Sequence, residues 1–156
     1  MHYRLVSDSS CDIHSLAGAE FVTVPLHIVT DTADYVDDAA LDAGAMVEHL
    51  RQYKGRSSTA CPNVADWLAA FGDAEAVFAV TITSALSGSY NAAICAARDY
   101  EAAHPGRRVH VIDSLSTGPE VVLILERLGR LIRKGLDFEE IVARIETYQK
   151  HTHLLF

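Results

Sequence analysis

A three-layer α/β/α, Rossmann-like domain on a mostly parallel sheet is the fold this sequence predicts, and three observations predict it. Short β-branched runs alternate with helical stripes along the chain, the pattern of an α/β layer architecture. The runs 76–82 (AVFAVTI) and 108–112 (RVHVI) are short and rich in β-branched residues, and near-continuous apolar strands like the first suit a sheet buried on both faces. Both runs, and the shorter Arg4-Leu5-Val6, end in polar turns carrying small hydroxyl residues.

Taken in chain order, Arg4-Leu5-Val6 is the first strand and breaks off at Ser7-Asp8-Ser9-Ser10. Residues 21–29 (FVTVPLHIV) are β-rich, but Pro25 cannot donate to a ladder, so an edge position or a bend is expected there. Val64, Trp67, Leu68 and Phe71 follow at helical spacing, with Asn63 placed as an N-cap after Pro62. Tyr90, Ala93, Ile94 and Ala97 repeat the stripe, as do Val121, Ile124, Leu125, Leu128 and Ile132. Gly135 is placed to end that last helix. Asp137 followed by Glu140 resembles a capping box opening a final helix with the stripe Phe138, Ile141, Val142 and Ile145. Core packing explains all of these faces without a cofactor.

A chain of 156 residues makes one ordinary domain and can bury about 70% of its unfolded surface. With 21 acidic and 13 basic residues its formal charge is −8, which argues against a nucleic-acid partner or a general attraction to anionic membranes. A small anion is still compatible, because a few aimed amides can hold it against the mean field. Cys11, Cys61 and Cys95 are odd in number and lack CxxC spacing, so free thiols in a reducing compartment are expected. Strand-like sequence follows Met1 closely and no apolar run has the length of a membrane span. A soluble cytoplasmic protein is therefore expected.

The chemistry is expected where hydroxyl-bearing turns meet. Ser7–Ser10, Ser84–Ser89 and Asp113-Ser114 each follow a strand, and ligands of open parallel sheets bind beyond the strand carboxyl ends. A fourth polar cluster, residues 57–63, precedes the Trp67 helix. Ser87-Gly88-Ser89 opens a helix, whose free amides and dipole suit a carboxylate or phosphate; a simple helix cap by Ser87 or Ser89 is the competing reading. Asp8 and Asp113 are read as acceptors that orient the serine hydroxyls. No GxGxxG, GxxxxGK[ST] or GxSxG occurs, and His151-x-His153 lacks a third metal ligand. No cofactor, metal or catalytic residue is expected.

These turns resemble those of the DegV family. Residues 6–13 (VSDSSCDI) resemble its TDSS-x-DL opening. Val24-Pro25-Leu26-His27-Ile28 is similar to its V-P-L-x-I strand, and Tyr35-Val36-Asp37 to its Y-x-D. Thr59-Ala60-Cys61-Pro62-Asn63 resembles the TSQPS loop, with Ala60, Cys61 and Asn63 departing from it. Residues 83–93 (TSALSGSYNAA) resemble its S-x-LSGTY-x-SA turn and helix, and Val111-Ile112-Asp113-Ser114 its V-I-DS strand end.

The resemblance implies a two-domain fold (the EDD fold) with a long-chain fatty acid between the domains. It implies a binding subunit, itself no enzyme, that presents the acid to a separate fatty-acid kinase. Thr59, Ser87 and Gly88 would hold the carboxylate, with Asp8 and Ser9 bordering the site and residues near Pro25, Leu26 and Ile28 lining the acyl channel. On this reading 1–150 is the first domain, and 151–156 starts a strand leading to a second domain beyond this chain. The face left open would offer a surface for self-association. Two other readings are a small acyl or phosphoryl transferase with Ser87 as nucleophile, needing His27 or His110 as base, and a regulatory domain without ligand.

Overall fold

The computed structural model describes residues 1–152. Strands β1 (Tyr3–Asp8), β2 (Phe21–Val24), β3 (His27–Val29) and β4 (Asp34–Val36) precede helix α1 (Ala43–Gln52) and strand β5 (Ser58–Ala60). There follow α2 (Val64–Phe71), β6 (Ala76–Thr81), α3 (Ser89–Ala103), β7 (Arg108–Asp113), α4 (Pro119–Arg133) and α5 (Phe138–Gln149). The main sheet is parallel throughout, in the order β2-β1-β6-β7.

Strand β6 explains why the sheet needs helices on both sides. All six of its residues are buried, and their alternation divides two cores. Phe78 and Val80 join Leu5 and Ile112 beneath Ile124, Leu128, Phe138 and Ile141 of α4 and α5. Val77 and Ala79 join Val6 beneath Trp67, Phe71 and Tyr100 of α2 and α3. Aromatic rings close each layer: Phe78 stacks on Phe138 at 4.9 Å, and Phe71 meets Tyr100 edge-on at 5.6 Å. The expected three-layer α/β/α arrangement is what these contacts make.

The helix ends follow local chemistry. Asn63 Oδ1 accepts from the Ala65 and Asp66 amides, and the Asp66 carboxylate accepts in return from the Asn63 amide. That reciprocal cap goes beyond the lone N-cap expected from the sequence. The Asp137 side chain accepts from the Glu140 amide at 2.9 Å, opening α5. Gly135 follows α4 with a φ of +73°, the left-handed conformation a glycine adopts at low cost. All three cysteines are free thiols, Cys11 buried and Cys61 and Cys95 exposed. No described helix is long and apolar enough to cross a membrane.

Two parts of the fold go beyond the sequence reading, the first of them at the expected bend at Pro25. The run 21–29 is two strands, because Pro25 ends the pairing with β1; β2 stays at the edge of the main sheet and β3 leaves it. β3 then forms the middle of a second, antiparallel sheet in the order β4-β3-β5. Helix α1 was not expected at all. It buries no residue completely, and the three-residue strands beside it are half-buried or exposed, so no apolar rhythm marked them. The strand expected from His153 onward lies outside the described residues.

His110 gives the fold a pH dependence. Its ring packs edge-on against Phe78 at 6.2 Å. Burial holds its pKa below the usual 6.5, and the nearby carboxylates of Glu146 and Glu139 offset that only in part. The folded imidazole thus binds its proton less tightly than the unfolded one. Its contribution to stability is present above about pH 6.5 and is lost as pH falls through the lowered folded value. Between pH 7 and 5, Tm is expected to drop more steeply for the native chain than for His110→Gln. Parallel pH curves for the two would contradict this.

Candidate functional site

In a parallel sheet the turns after β1, β6 and β7 share one edge, and here side chains bind them to one another. Asp8, the last residue of β1, is fully buried. Its Oδ2 accepts from the Ile82 amide at 3.0 Å and from Ser89 Oγ at 2.6 Å, while Oδ1 accepts from Ser10 Oγ at 2.5 Å. Burial raises its pKa, and the three donors pull it back part of the way. One carboxylate therefore fixes the turn between β6 and α3 against the end of β1.

Asp113 does similar work at the next strand. Its Oδ1 accepts from the Ser84 amide at 3.1 Å and the Leu115 amide at 3.0 Å. The Ser116 carbonyl accepts from the Thr83 amide at 2.8 Å, and the Ser10 carbonyl accepts from the Gly118 amide at 2.9 Å. Gly118 makes the last contact from a φ of +58°, where a side chain would be strained. Asp8 orients two serine hydroxyls as expected, whereas Asp113 holds backbone amides and, among the described residues, no serine hydroxyl.

The N-terminus of α3 sits inside this frame. Gly88 is its N-cap residue, and no side chain caps the helix. Ser87 Oγ accepts from the Ser89 amide at 3.2 Å, whereas the Ser89 hydroxyl is taken by Asp8. Among the described residues, no acceptor meets the amides of Gly88, Tyr90 and Asn91. An uncapped helix start of this kind presents donors and a positive dipole end to an anion.

Thr59 reaches the same place from the small sheet. It pairs with Ile28 across the β3–β5 ladder, and Ile28 pairs with Tyr35 on β4, so these three side chains share one face. A cavity of about 400 Å³ lies between that sheet and the start of α3. Thr59, Ser87, Gly88, Asp37 and His27 supply its polar lining, and Leu26, Ile28, Ile82 and Leu86 its apolar wall. Cys61 also lines it, close enough to Gly88 that an added Cβ there would lie 3.2 Å from the sulfur.

Of the five residues expected at the site, the fold brings Thr59, Ser87 and Gly88 onto one cavity. Asp8 and Ser9 do not line it. Asp8 lies behind it, holding Ser89 and Ile82. Ser9 Oγ accepts from the Leu26 amide at 3.0 Å and donates to Asp37 Oδ2 at 2.7 Å. Ile82 and Leu86 were missed as lining residues; no spacing could have marked them, because a tertiary fold assembles the wall. Among the described residues, no cluster of three metal-ligating side chains exists. His27 also lines the cavity, but in the ladder its side chain takes the face of Val36 and Ala60, opposite to Thr59, and its Nδ1 bonds Asp34 at 2.8 Å. His110 packs on Phe78. Neither imidazole is bonded to Ser87 among the described residues.

Comparison with known proteins decides the family. The model of the DegV family, described as an uncharacterised protein family, matches residues 2–156. The chain belongs to the DegV family. A DegV domain-containing protein of Streptococcus pneumoniae is 45% identical over 160 residues, covering 100% of this chain and 57% of that relative. A DegV family protein from Eubacterium eligens, solved loaded with heptadecanoic acid, is 49% identical with a TM-score of 0.93, covering 95% of this chain and 54% of that one. The fatty acid kinase B3 protein of Streptococcus pneumoniae, solved loaded with linoleic acid, is 44% identical with a TM-score of 0.93, covering 96% and 55%. The chain thus spans about half the length of these DegV relatives. The four-stranded parallel sheet with flanking helices is the fold they share with it.

Proposed function

We propose that this domain binds the carboxylate of a long-chain fatty acid at the Thr59, Ser87 and Gly88 end of the cavity. The domain then presents the acid to a separate fatty-acid kinase. The observation that carries the reading is the convergence of those three residues, from distant segments, beside the uncapped start of α3. The cavity is polar at that end and apolar along Leu26, Ile28, Ile82 and Leu86, the division a fatty acid needs. Each methylene buried along the wall contributes about 0.8 kcal/mol. Hydroxyl and amide donors fix the head group and offset the acidic charge of the chain.

The family relatives support the ligand class, since two of them were solved with a C17 acid and with linoleic acid. The kinase B3 relative supports the partner. Residues 1–150 are read as the first domain of a longer arrangement whose remainder completes the tunnel, and the setting as cytoplasmic. A transferase using Ser87 would need a base beside it, and neither His27 nor His110 is bonded to it.

Mass spectrometry of lipids extracted from the full chain as purified from cells tests the proposal. A long-chain acid at about one per protein is expected. A lipid-free preparation that also takes up no added oleate would sink the reading.

A further inference from the structure

The hydrogen bonds of Ser9 reach well beyond its own turn. Segment 25–60 carries β3, β4, α1 and β5, and with them Thr59 and the Leu26 and Ile28 part of the wall. The ladder that joins it to the main sheet stops at the Asp8–Val24 pair, and Pro25, next in line, has no amide hydrogen to continue it. Among the described residues, two hydrogen bonds link segment 25–60 to the rest of the chain, and both end on Ser9 Oγ. The Leu26 amide anchors the residue just before β3 there, and the Asp37 carboxylate anchors the residue just after β4. Ser9 itself is 4% exposed, so water competes little for either bond.

A hydroxyl that gives its single proton to Asp37 and takes one from Leu26 has little left for a ligand. It acts through what it holds. Asp37 lines the cavity, where a free carboxylate would repel an anionic head group; the bond from Ser9 engages one of its oxygens. We infer that Ser9 is a positioning residue: it pins the small sheet over the start of α3 so that Thr59 stands across the cavity from Ser87 and Gly88. This rests on the reading of the cavity as a carboxylate site. Without the pin, segment 25–60 swings about Pro25 and the two halves of the head-group site lose their spacing.

Hydrogen exchange and oleate titration on the full chain test the pin separately from the ligand reading. In Ser9→Ala, amides of residues 27–60 are expected to exchange about tenfold faster, with β1, β6 and β7 unchanged. Oleate affinity is expected to fall about tenfold, the effect of a lost hydrogen bond of ordinary strength. Asp37→Ala should speed exchange in the same segment, and Asp37→Asn, which keeps an acceptor for Ser9, should not. The double variant Ser9→Ala/Asp37→Ala should exchange no faster than Ser9→Ala alone, because the serine change already removes both bonds to the segment. Native exchange rates in 27–60 for Ser9→Ala, or faster exchange with unchanged oleate affinity, would overturn the inference. A native chain that binds no oleate overturns the carboxylate reading instead, and the exchange comparison then decides the pin alone.

Discussion

Replacing Asp8 with alanine is expected to destabilise the fold by about 3 kcal/mol, because it strands one buried and two half-buried donors. The Ile82 amide, the Ser89 hydroxyl and the Ser10 hydroxyl all lose their acceptor at once. Each unsatisfied buried group costs roughly 1–3 kcal/mol, and relief from burying a charge returns part of that sum. Asp8→Asn has a different outcome. Its amide oxygen can accept from Ile82 and Ser89 while its NH₂ donates to Ser10, so a loss within about 1 kcal/mol is expected. The folded carboxyl holds its proton more tightly than the unfolded one, since burial raises its pKa. That contribution is full below the unfolded value near 3.8 and is lost as pH rises through the folded value. The Asn variant should therefore gain on the native chain between pH 4 and 7. Urea unfolding at several pH values checks both claims, and an alanine variant as stable as the native chain would refute the pinning role.

Gly88→Val is expected to leave the fold nearly intact and to weaken fatty-acid binding by about 100-fold or more. Gly88 has ordinary right-handed helical dihedrals, φ −72° and ψ −3°, so a side chain strains no backbone there. It does occupy space. Even a Cβ would sit 3.2 Å from Cys61 Sγ, and the two branched methyls would fill the polar end of the cavity. Two charge-assisted hydrogen bonds to the carboxylate, about 1.5–3 kcal/mol each, would be lost. Gly88→Ala should bind with intermediate affinity. Calorimetric titration with oleate, beside a thermal melt for each variant, separates the two effects. Native affinity in Gly88→Val would place the head group elsewhere.

β6 was legible because burial on both faces left a nearly continuous apolar run, whereas the edge strands β2 and β7 are mostly half-buried and were marked by their β-branched residues. The helices were legible for a related reason, since their stripes face a wide core. The small sheet was not. β3, β4 and β5 are three residues each, pair with one another, and bury little, so neither alternation nor hydrophobicity distinguished them from loops. Thr59 was placed at the site by resemblance alone, and its location on β5 explains how a polar loop becomes one wall of a cavity. Ser9 illustrates the opposite case. Its position in a hydroxyl-rich turn suggested ligand contact, and only the fold reveals that its two bonds are already committed to Leu26 and Asp37. Asp66 was overlooked as the partner of Asn63 because capping boxes usually place Glu or Gln there.

The central claim is that a carboxylate, not merely an apolar tail, is what Thr59, Ser87 and Gly88 hold. The most direct test compares binding of oleic acid with that of oleyl alcohol, the same tail without the charge, by the full chain and by Ser87→Ala. The acid is expected to bind at least about tenfold more tightly than the alcohol to the native chain, with that preference shrinking in Ser87→Ala. Equal affinity for acid and alcohol in the native chain, or an undiminished preference in the variant, would contradict the account.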